Sequence, residues 1–314
     1  MSVQKYKTVT RTQGNNRALK DGTVKPSGFE FDFIEIPVLV DGFRRMVRQN
    51  EFDICEMAIT TYICAKAHGK PFTAIPVFLV RGFHHGAILV NTKAGIKTPK
   101  DLEGKRVGVN RGYTVTTGVW ARSVLQREYG VDLSKITWVL SGDEHVAEYK
   151  APKNVVPMEK TRTMAEQLAA GNLAAAIGIE TSHPDIAPLI PNALEVGLTA
   201  FREHGYYPIN HLVVIKDELL QAHPGLATEV FNLFVEAKRL YLAALKAGRI
   251  EQPDQADKLY QRLMETMEDP LPYGIEPNRA IIEELIENAV TQGIIDHKVS
   301  IEDLFAPETR NLLG

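Results

Sequence analysis

Short β-rich segments alternate with helical segments over the first two thirds of this 314-residue chain. Such alternation predicts βαβ units and mostly parallel sheets, and the length suits two domains. The strands that the apolar runs predict are Phe29–Ile36, Phe52–Cys55, Phe72–Val80, Ala87–Val90, Arg106–Val109, Ile136–Leu140, Leu173–Ile179 and Leu212–Ile215. We therefore expect an α/β protein.

Capping residues and helical periodicity predict the elements between and after these strands. Asp41 should cap a short helix, and a capping box of Thr163 and Glu166 should open another that ends near Gly171. The other predicted helices are Glu56–Ala67, Thr116–Tyr129, Leu226–Ala247, Asp254–Glu268 and Pro277–Thr291. Residues 141–160 have little periodicity and are expected to be irregular. The C-terminal helices should return to the first of two α/β lobes.

The charge balance argues against a nucleic acid or another polyanion as the partner. Lys and Arg number 36 and Asp and Glu number 39, so the formal net charge is −3. Nucleic-acid binding normally needs a basic surplus. No apolar run approaches the roughly 18–20 residues that span a bilayer, and Met1–Lys7 lacks the apolar segment of a signal peptide. We expect a cytoplasmic protein without membrane partners, in which Cys55 and Cys64 are buried, reduced thiols.

Several sequence blocks together resemble one enzyme family. They are Glu51–Met57, Ala74–Phe78, Arg81–His85, Asp101–Val109, Tyr207–His211, Pro272–Arg279 and Asp303–Pro307. The block Asp101–Val109 is shared by many solute-binding proteins and indicates fold only, whereas Ala74–Phe78 and Tyr273–Asn278 are narrower. In this order and spacing, over about residues 5–307, the blocks resemble the 4,5-dihydroxyphthalate decarboxylases.

The resemblance implies a fold and a place for the ligand. The fold is an α/β, two-lobed, type 2 periplasmic-binding-protein-like fold, with hinge crossings near residues 90–93 and 203–209 and a helical C-terminal region. Lobe 1 would comprise residues 1–91 and 206–314, and lobe 2 residues 92–205. We expect the ligand in the cleft between the lobes, because open α/β sheets bind ligands beyond the carboxyl ends of their strands.

Three segments should begin helices at that cleft: Glu56–Thr61, Asn110–Thr117 and Thr161–Thr163. A helix N-terminus offers free N–H groups and a positive dipole end to a carboxylate, and arginine adds bidentate hydrogen bonds. The candidate substrate-binding residues are Thr60, Thr61, Arg81, Arg111, Tyr113, Thr114, Thr116, Arg162 and Glu180. The structural alternative is that the threonines only cap helices.

Histidines and one glutamate are candidates for proton transfer, since an imidazole gives or accepts a proton near neutral pH. The candidate catalytic residues are Glu56, His84, His85 and His211. As alternatives, His84 and His85 would lie in a solvated turn and His211 in the core. Some of these four side chains could instead hold a divalent metal, since carboxylate and imidazole ligands suit several ions. The chain has no Gly-x-Gly-x-x-Gly or Walker motif for a tightly bound cofactor.

The resemblance implies a carboxy-lyase that removes CO₂ from a hydroxylated aromatic carboxylate, with or without a metal ion. Arg81, Arg111 and Arg162 would hold carboxylates. The substrate implied is 4,5-dihydroxyphthalate or a related aromatic acid, and departures from the family pattern at His84, Asn110–Tyr113 and Glu180 favour a related acid.

The main alternative is a solute-binding protein that delivers a small carboxylate or sulfonate to an ABC transporter. It would use the same fold and the same helix N-termini, so fold alone does not separate the two. The thiamine-pyrimidine synthases share the fold as well, but their cysteine-rich element has no counterpart here. The apolar faces of the C-terminal helices would suit a homo-oligomer.

Overall fold

The computed structural model describes residues 3–314, which form two compact units. The first unit contains the residues up to Gly82 together with Ile209–Glu283 and Val299–Gly314. The second unit contains Phe83–Pro208 and Glu284–Lys298. Each unit has its own sheet.

The strands are β1 (Gln4–Val9), β2 (Phe29–Phe33), β3 (Ile54–Ala58), β4 (Phe72–Arg81), β5 (Ile88–Asn91), β6 (Arg106–Val109), β7 (Thr137–Leu140), β8 (Val155–Pro157), β9 (Ala175–Ile177), β10 (Ile186–Pro188) and β11 (Ile209–Lys216). The helices are α1 (Arg17–Lys20), α2 (Leu39–Gln49), α3 (Ile59–Ala67), α4 (Thr116–Arg127), α5 (Met164–Ala169), α6 (Ala193–His204), α7 (Asp217–Ala222), α8 (Leu226–Lys246), α9 (Gln255–Leu263), α10 (Arg279–Thr291) and α11 (Ile301–Leu304). None of these helices combines the length and hydropathy needed to cross a bilayer.

The sheet of the first unit has the strand order β2-β1-β3-β11-β4. Strands β1, β2 and β3 run parallel, whereas β11 runs antiparallel to both of its neighbours. The central strands are buried along nearly their whole length, and the side chains of Leu212–Ile215 are all inaccessible. Strands buried on both faces are expected to be continuously apolar, which is why the sequence predicts this part of β11 well.

The sheet of the second unit has the strand order β10-β5-β9-β6-β7-β8. Strand β6 pairs in parallel with β7 and β9, and β5 pairs antiparallel with β9 and β10. The helix α5 begins at the predicted capping box, in which the Thr163 hydroxyl accepts from the Glu166 N–H. Residues 155–157, which we expected to be irregular, form β8 beside β7.

The sequence boundaries between the two units lie at residues other than the predicted ones. Strand β5 belongs to the second sheet, so the first boundary lies after Gly82 instead of after residue 91. The second lies after Pro208 instead of after residue 205, at the start of β11. In addition, Glu284–Lys298 is part of the second unit, so the C-terminal helices do not all return to the first.

Three local predictions are wrong or incomplete. The strand predicted at Phe52–Cys55 continues to Ala58, so Glu56 lies in β3 and the following helix begins at Ile59. Pairing with β11 up to Ala58 keeps this segment extended. Helix α2 begins at Leu39, before Asp41. Strand β1 and helix α6 have no predicted counterpart. Cys55 and Cys64 are buried and form no disulfide with each other, as expected.

Candidate functional site

A glutamate and a histidine from neighbouring strands form a buried pair in the first unit. Glu56 on β3 lies opposite Val213 of β11, and His211 lies opposite Ala58. The two side chains are therefore diagonal neighbours on the same face of the sheet, within reach of each other. Glu56 Oε1 and His211 Nδ1 are 2.7 Å apart.

Glu56 is enclosed by hydrogen-bond donors. Its side chain has no solvent exposure, and Oε2 accepts from the Arg11 N–H at 2.9 Å. The Gln13 side-chain amide lies 3.3 and 3.4 Å from the two carboxylate oxygens. A carboxylate surrounded by donors acts as an acceptor, so the hydrogen shared with His211 belongs to Nδ1. This leaves Nε2 as the ring nitrogen that can exchange a proton with a ligand.

The imidazole of His211 is held in one orientation and remains partly exposed. Its side chain is 19% exposed, and its ring packs edge-on against Phe43, with centroids 5.2 Å apart. A partly exposed histidine that is oriented through Nδ1 by a buried carboxylate is the arrangement used for general acid–base catalysis. The predicted part of Glu56 in proton transfer does not include direct contact with a ligand, because the Glu56 side chain is inaccessible.

Arg81, Thr60 and Thr61 are also buried in the first unit. Arg81 ends β4, and its Nη1 donates to Oδ1 of Asn278 at 2.6 Å. The Asn278 amide in turn donates to the carbonyl oxygens of Pro272 and Gly274. Asn278, in the sequence block Tyr273–Asn278, thus fixes the position of the Arg81 guanidinium. Thr60 and Thr61 lie in the first turn of α3.

A cavity of about 570 Å³ in the first unit borders the segment that holds Glu56. Arg11 and Gln13 line it on one side, and the aromatic residues Tyr241 and Tyr260 line it on another. This volume is in the range of small-molecule sites. The cavity therefore has room, a cation and aromatic surface next to the residues that hold the Glu56 carboxylate.

His84 and His85 lie in the second unit and are buried. His85 Nε2 lies 2.9 and 3.0 Å from the two carboxylate oxygens of Glu128. The His85 side chain is inaccessible, whereas that of Glu128 is 30% exposed. The prediction that these histidines could occupy a solvated turn is wrong, since β5 and helices α4 and α6 enclose the segment.

A cavity of about 830 Å³ in the second unit is bordered by Glu128, and its lining includes one arginine, Arg127, but a larger number of acidic groups. Four of its lining residues are glutamates: Glu128, Glu195, Glu203 and Glu284. Their negative charge opposes a carboxylate ligand. The pair of His85 and Glu128 therefore lacks the surroundings that an aromatic acid requires.

The loop between β6 and α4, together with the first residue of α4, contains four of the predicted substrate-binding residues. Tyr113, Thr114 and Thr116 are buried, whereas Arg111 is exposed and has a left-handed backbone with φ of 70°. The N–H groups of Tyr113 and Thr114 and the Thr114 hydroxyl all donate to the carboxylate of Glu144. An internal carboxylate thus occupies the position at which the sequence predicts an anionic ligand.

Arg162 and Glu180 are exposed in the second unit. Arg162 precedes α5, and Glu180 follows β9. Within the second unit they are not gathered into a common buried site. The possible metal set of Glu56, His84, His85 and His211 is not assembled either, because no group of three or more His, Cys, Asp or Glu side chains within residues 3–314 could hold a metal ion.

The sequence patterns do not indicate four further candidate functional residues: Arg11, Gln13, Arg122 and Glu144. Arg11 and Gln13 follow a strand that was not predicted, and Glu144 lies in the stretch expected to be irregular. Arg122 is inaccessible in the middle of α4. A buried arginine in an otherwise apolar helix face is a detectable signal, since arginine is rarely buried without a partner.

Comparison with known proteins shows what this chain resembles. A sequence model of the periplasmic phosphonate-binding proteins of ABC transporters matches residues 33–187. The chain is 29% identical over 309 residues to a 4,5-dihydroxyphthalate decarboxylase of Comamonas testosteroni, covering 93% of each protein. It is 36% identical over 171 residues to a 4,5-dihydroxyphthalate decarboxylase of Pseudomonas putida, covering 52% of this chain and 65% of that protein. The predicted resemblance to these carboxy-lyases is confirmed.

Solved structures confirm the predicted fold. The periplasmic aliphatic sulphonate binding protein SsuA from Escherichia coli matches with a TM-score of 0.56 at 13% identity, over 97% of this chain and 92% of that one. The desulfurization enzyme DszB matches with a TM-score of 0.59 at 13% identity, over 98% of both chains. The chain thus has a periplasmic-binding-protein-like fold, which both a transport protein and an enzyme use.

Proposed function

We propose that this chain catalyses the decarboxylation of a hydroxylated aromatic carboxylate, with His211 as the group that transfers protons. The observation that carries the proposal is the contact of 2.7 Å between Glu56 and His211 Nδ1, with Glu56 buried and the imidazole partly exposed. The two relatives named as 4,5-dihydroxyphthalate decarboxylases support the reaction class. The substrate is 4,5-dihydroxyphthalate or a related aromatic acid.

The reaction replaces a carboxylate on the ring by a proton. A ring hydroxyl para to the carboxylate releases electron density as it gives up its proton, and the carbon that bears the carboxylate accepts a proton. The bond between that carbon and the carboxylate then breaks, CO₂ leaves, the electron pair of the bond restores the aromatic ring, and the hydroxyl oxygen takes back its proton. One proton is consumed and no electron acceptor is needed.

His211 can supply that proton through Nε2, because Nδ1 is occupied by Glu56. The Glu56 carboxylate fixes the ring plane, so that each proton transfer starts from the same geometry. Glu56 is therefore a positioning residue and not the base that we expected from the sequence.

Arginine side chains remain the proposed partners of substrate carboxylates, since guanidinium groups bind them in a bidentate manner. Arg81 is the best supported of the predicted three, because Asn278 holds it in the unit that contains His211. A fixed cation loses little conformational freedom when it binds an anion. The predicted cytoplasmic location and homo-oligomer stay predictions.

The test is to incubate the purified protein with hydroxylated benzoates and phthalates and to measure CO₂ release. We expect turnover of acids that carry a hydroxyl para to a carboxylate, and none of the matched acids that lack it. Repeating the assay with a chelator decides whether a divalent metal assists. Binding of these acids without any release of CO₂ would reject decarboxylation.

The second candidate is a solute-binding protein for a small carboxylate or sulfonate. The match of residues 33–187 to the phosphonate-binding family favours it, as does the shared fold with the sulphonate-binding protein. This candidate predicts binding of aliphatic sulfonates or phosphonates and no chemical change in them. Calorimetric titration with both ligand classes, run beside the CO₂ assay, separates the two functions.

A further inference from the structure

The cavity of about 830 Å³ in the second unit has a negatively charged lining. Its glutamates are Glu128, Glu195, Glu203 and Glu284. Arg127 forms an ion pair with Glu284. His204 lies 3.7 Å from Glu203. Even where these two pairs offset their own charges, Glu128 and Glu195 keep the lining negative. Since opposite charges attract, the cavity favours a cation.

Glu128 is held in place by a buried histidine. His85 Nε2 lies 2.9 and 3.0 Å from the two oxygens of the Glu128 carboxylate, and the His85 side chain is inaccessible. A surface glutamate otherwise loses side-chain freedom when it binds a ligand, and this loss weakens the binding. Because His85 fixes the carboxylate beforehand, a cation that binds to Glu128 meets a group that is already ordered.

Two buried hydroxyl groups of the same lining lack hydrogen-bond partners. Tyr206 is 8% exposed and Ser123 is 1% exposed, and neither neighbouring hydroxyl has a hydrogen-bond partner within residues 3–314. Burial, followed by the charges of Glu284 and Glu128, raises the pKa of Tyr206 well above its usual value. The Tyr206 hydroxyl therefore lies beside carboxylates of the cavity. Buried polar groups without a partner are rare in folded proteins, and a hydroxyl oxygen can accept from an ammonium group.

The ring of Tyr206 cannot easily turn its hydroxyl toward another partner. It packs perpendicular to the ring of Trp120, with centroids 5.7 Å apart, and close to perpendicular to the imidazole of His85, at 6.1 Å. The same two buried side chains thus fix the Tyr206 hydroxyl and, through His85, the Glu128 carboxylate. An acceptor and a negative charge are held side by side.

The spread of the carboxylates favours an extended organic cation over a metal ion. Within residues 3–314, no group of three or more His, Cys, Asp or Glu side chains could hold a metal ion. Glu195 and Glu203 lie eight positions apart on α6, which separates them by about 12 Å along the helix axis. Glu128 directly follows α4. Charges several bonds apart in one ligand match this spread better than a single ion.

We propose that this cavity binds an aliphatic diamine, with one ammonium group at Glu128 and Tyr206 and the other at the glutamates of α6. The volume of the cavity is in the range of small-molecule sites. The site does not depend on the reaction proposed for this chain, so its test needs no substrate.

The test is calorimetric titration of the purified protein with 1,5-diaminopentane, with magnesium chloride at the same ionic strength as the reference. We expect saturable binding of one diamine per chain and no comparable binding of magnesium. Pentylamine should bind about tenfold more weakly, because it lacks the second charge-assisted hydrogen bond. Absence of saturable binding, or equal binding of pentylamine and the diamine, would overturn the proposal.

Glu128→Gln tests the fixed carboxylate. It keeps the size of the side chain but lacks its charge, so the dissociation constant for the diamine should rise about tenfold. Glu159→Gln is the matched control, since Glu159 is an exposed glutamate of the same unit outside the cavity lining. Its dissociation constant should equal that of the wild type. Equal losses in the two variants would reduce the binding to the overall charge of the chain and contradict the proposed site.

Tyr206→Phe keeps the test decisive where Glu128→Gln does not fold. The variant removes a hydroxyl that has no hydrogen-bond partner within residues 3–314 and keeps the ring. The midpoint of thermal unfolding without ligand should therefore not fall, whereas the dissociation constant for the diamine should rise about 2–10-fold. A hydroxyl with a purely structural part would give the opposite result, a lower midpoint with unchanged diamine binding, and that result would overturn the proposal.

Discussion

Each unit of this chain contains a pair of glutamate and histidine side chains, and the two pairs are built in opposite ways. In the first unit Glu56 is inaccessible and His211 is 19% exposed. In the second unit His85 is inaccessible and Glu128 is 30% exposed. The buried residue is the glutamate in the first pair and the histidine in the second.

This difference indicates which histidine is suited to proton transfer. An imidazole that faces outward and is oriented from behind can exchange protons with a ligand. An imidazole that is enclosed, with its contact to Glu128 at 2.9 Å, instead holds a carboxylate at the wall of an acidic cavity. On this comparison we propose that His211 is catalytic and that His85 supports the structure, although both are equal candidates by sequence.

The largest expected effect is that of His211→Ala. Removing the proton-transfer group should lower kcat for decarboxylation by about 10²–10⁴-fold, the usual contribution of a general acid or base. CO₂ release under saturating substrate measures it. His223→Ala is the control, since His223 lies in the same unit and is exposed. A kcat within a few-fold of wild type in the His211 variant would end the assignment.

Glu56→Gln should have the next largest effect. The amide keeps the shape of the side chain but replaces the carboxylate that orients the ring through Nδ1, so kcat should fall about 10–100-fold, as for other groups that orient a functional histidine. KM should change little, because Glu56 is inaccessible to substrate. Steady-state kinetics separates the two constants. A rise in KM at constant kcat would instead mean that Glu56 touches the substrate.

The pairing of Glu56 with His211 could not be predicted from the sequence, although each residue was a candidate. The two lie 155 positions apart, and only the register of β3 against β11 brings them together. Periodicity identifies a buried strand such as Leu212–Ile215, but it does not indicate which strand lies beside it. The extension of β3 over Glu56 was missed for the same reason, since pairing with β11 determines it.

The sequence predicts the fold correctly where the local pattern of apolar residues matches their burial in the structure. Strand β6 has its predicted bounds because its valines are buried in the sheet, and α5 begins at its predicted capping box. Strand β1 is not predicted from the sequence, because the exposed Lys5 and Lys7 flank the buried Tyr6 and interrupt any apolar run. The resemblance to the decarboxylases supplied the architecture that periodicity alone could not.

His85→Ala should lower stability and leave catalysis nearly unchanged. Removing a buried ring leaves a cavity and takes a partner from Glu128, which together cost about 1–3 kcal/mol. Urea unfolding followed by fluorescence measures the loss, and kcat should stay within about threefold of wild type, below the effect of a general acid or base. A loss of kcat comparable to that of the His211 variant would break the comparison between the two pairs.

Glu128→Gln should have the smallest effect of the four. The carboxylate is partly exposed, so its charge is screened, and an ion pair at such a position contributes about 0–1 kcal/mol. The glutamine oxygen can still accept from His85 Nε2. The midpoint of thermal unfolding should therefore change by less than about 2 °C. A larger loss would mean that the charge of Glu128, and not the ring of His85, stabilises this wall of the cavity, and the two pairs would then be alike in depending on their carboxylates.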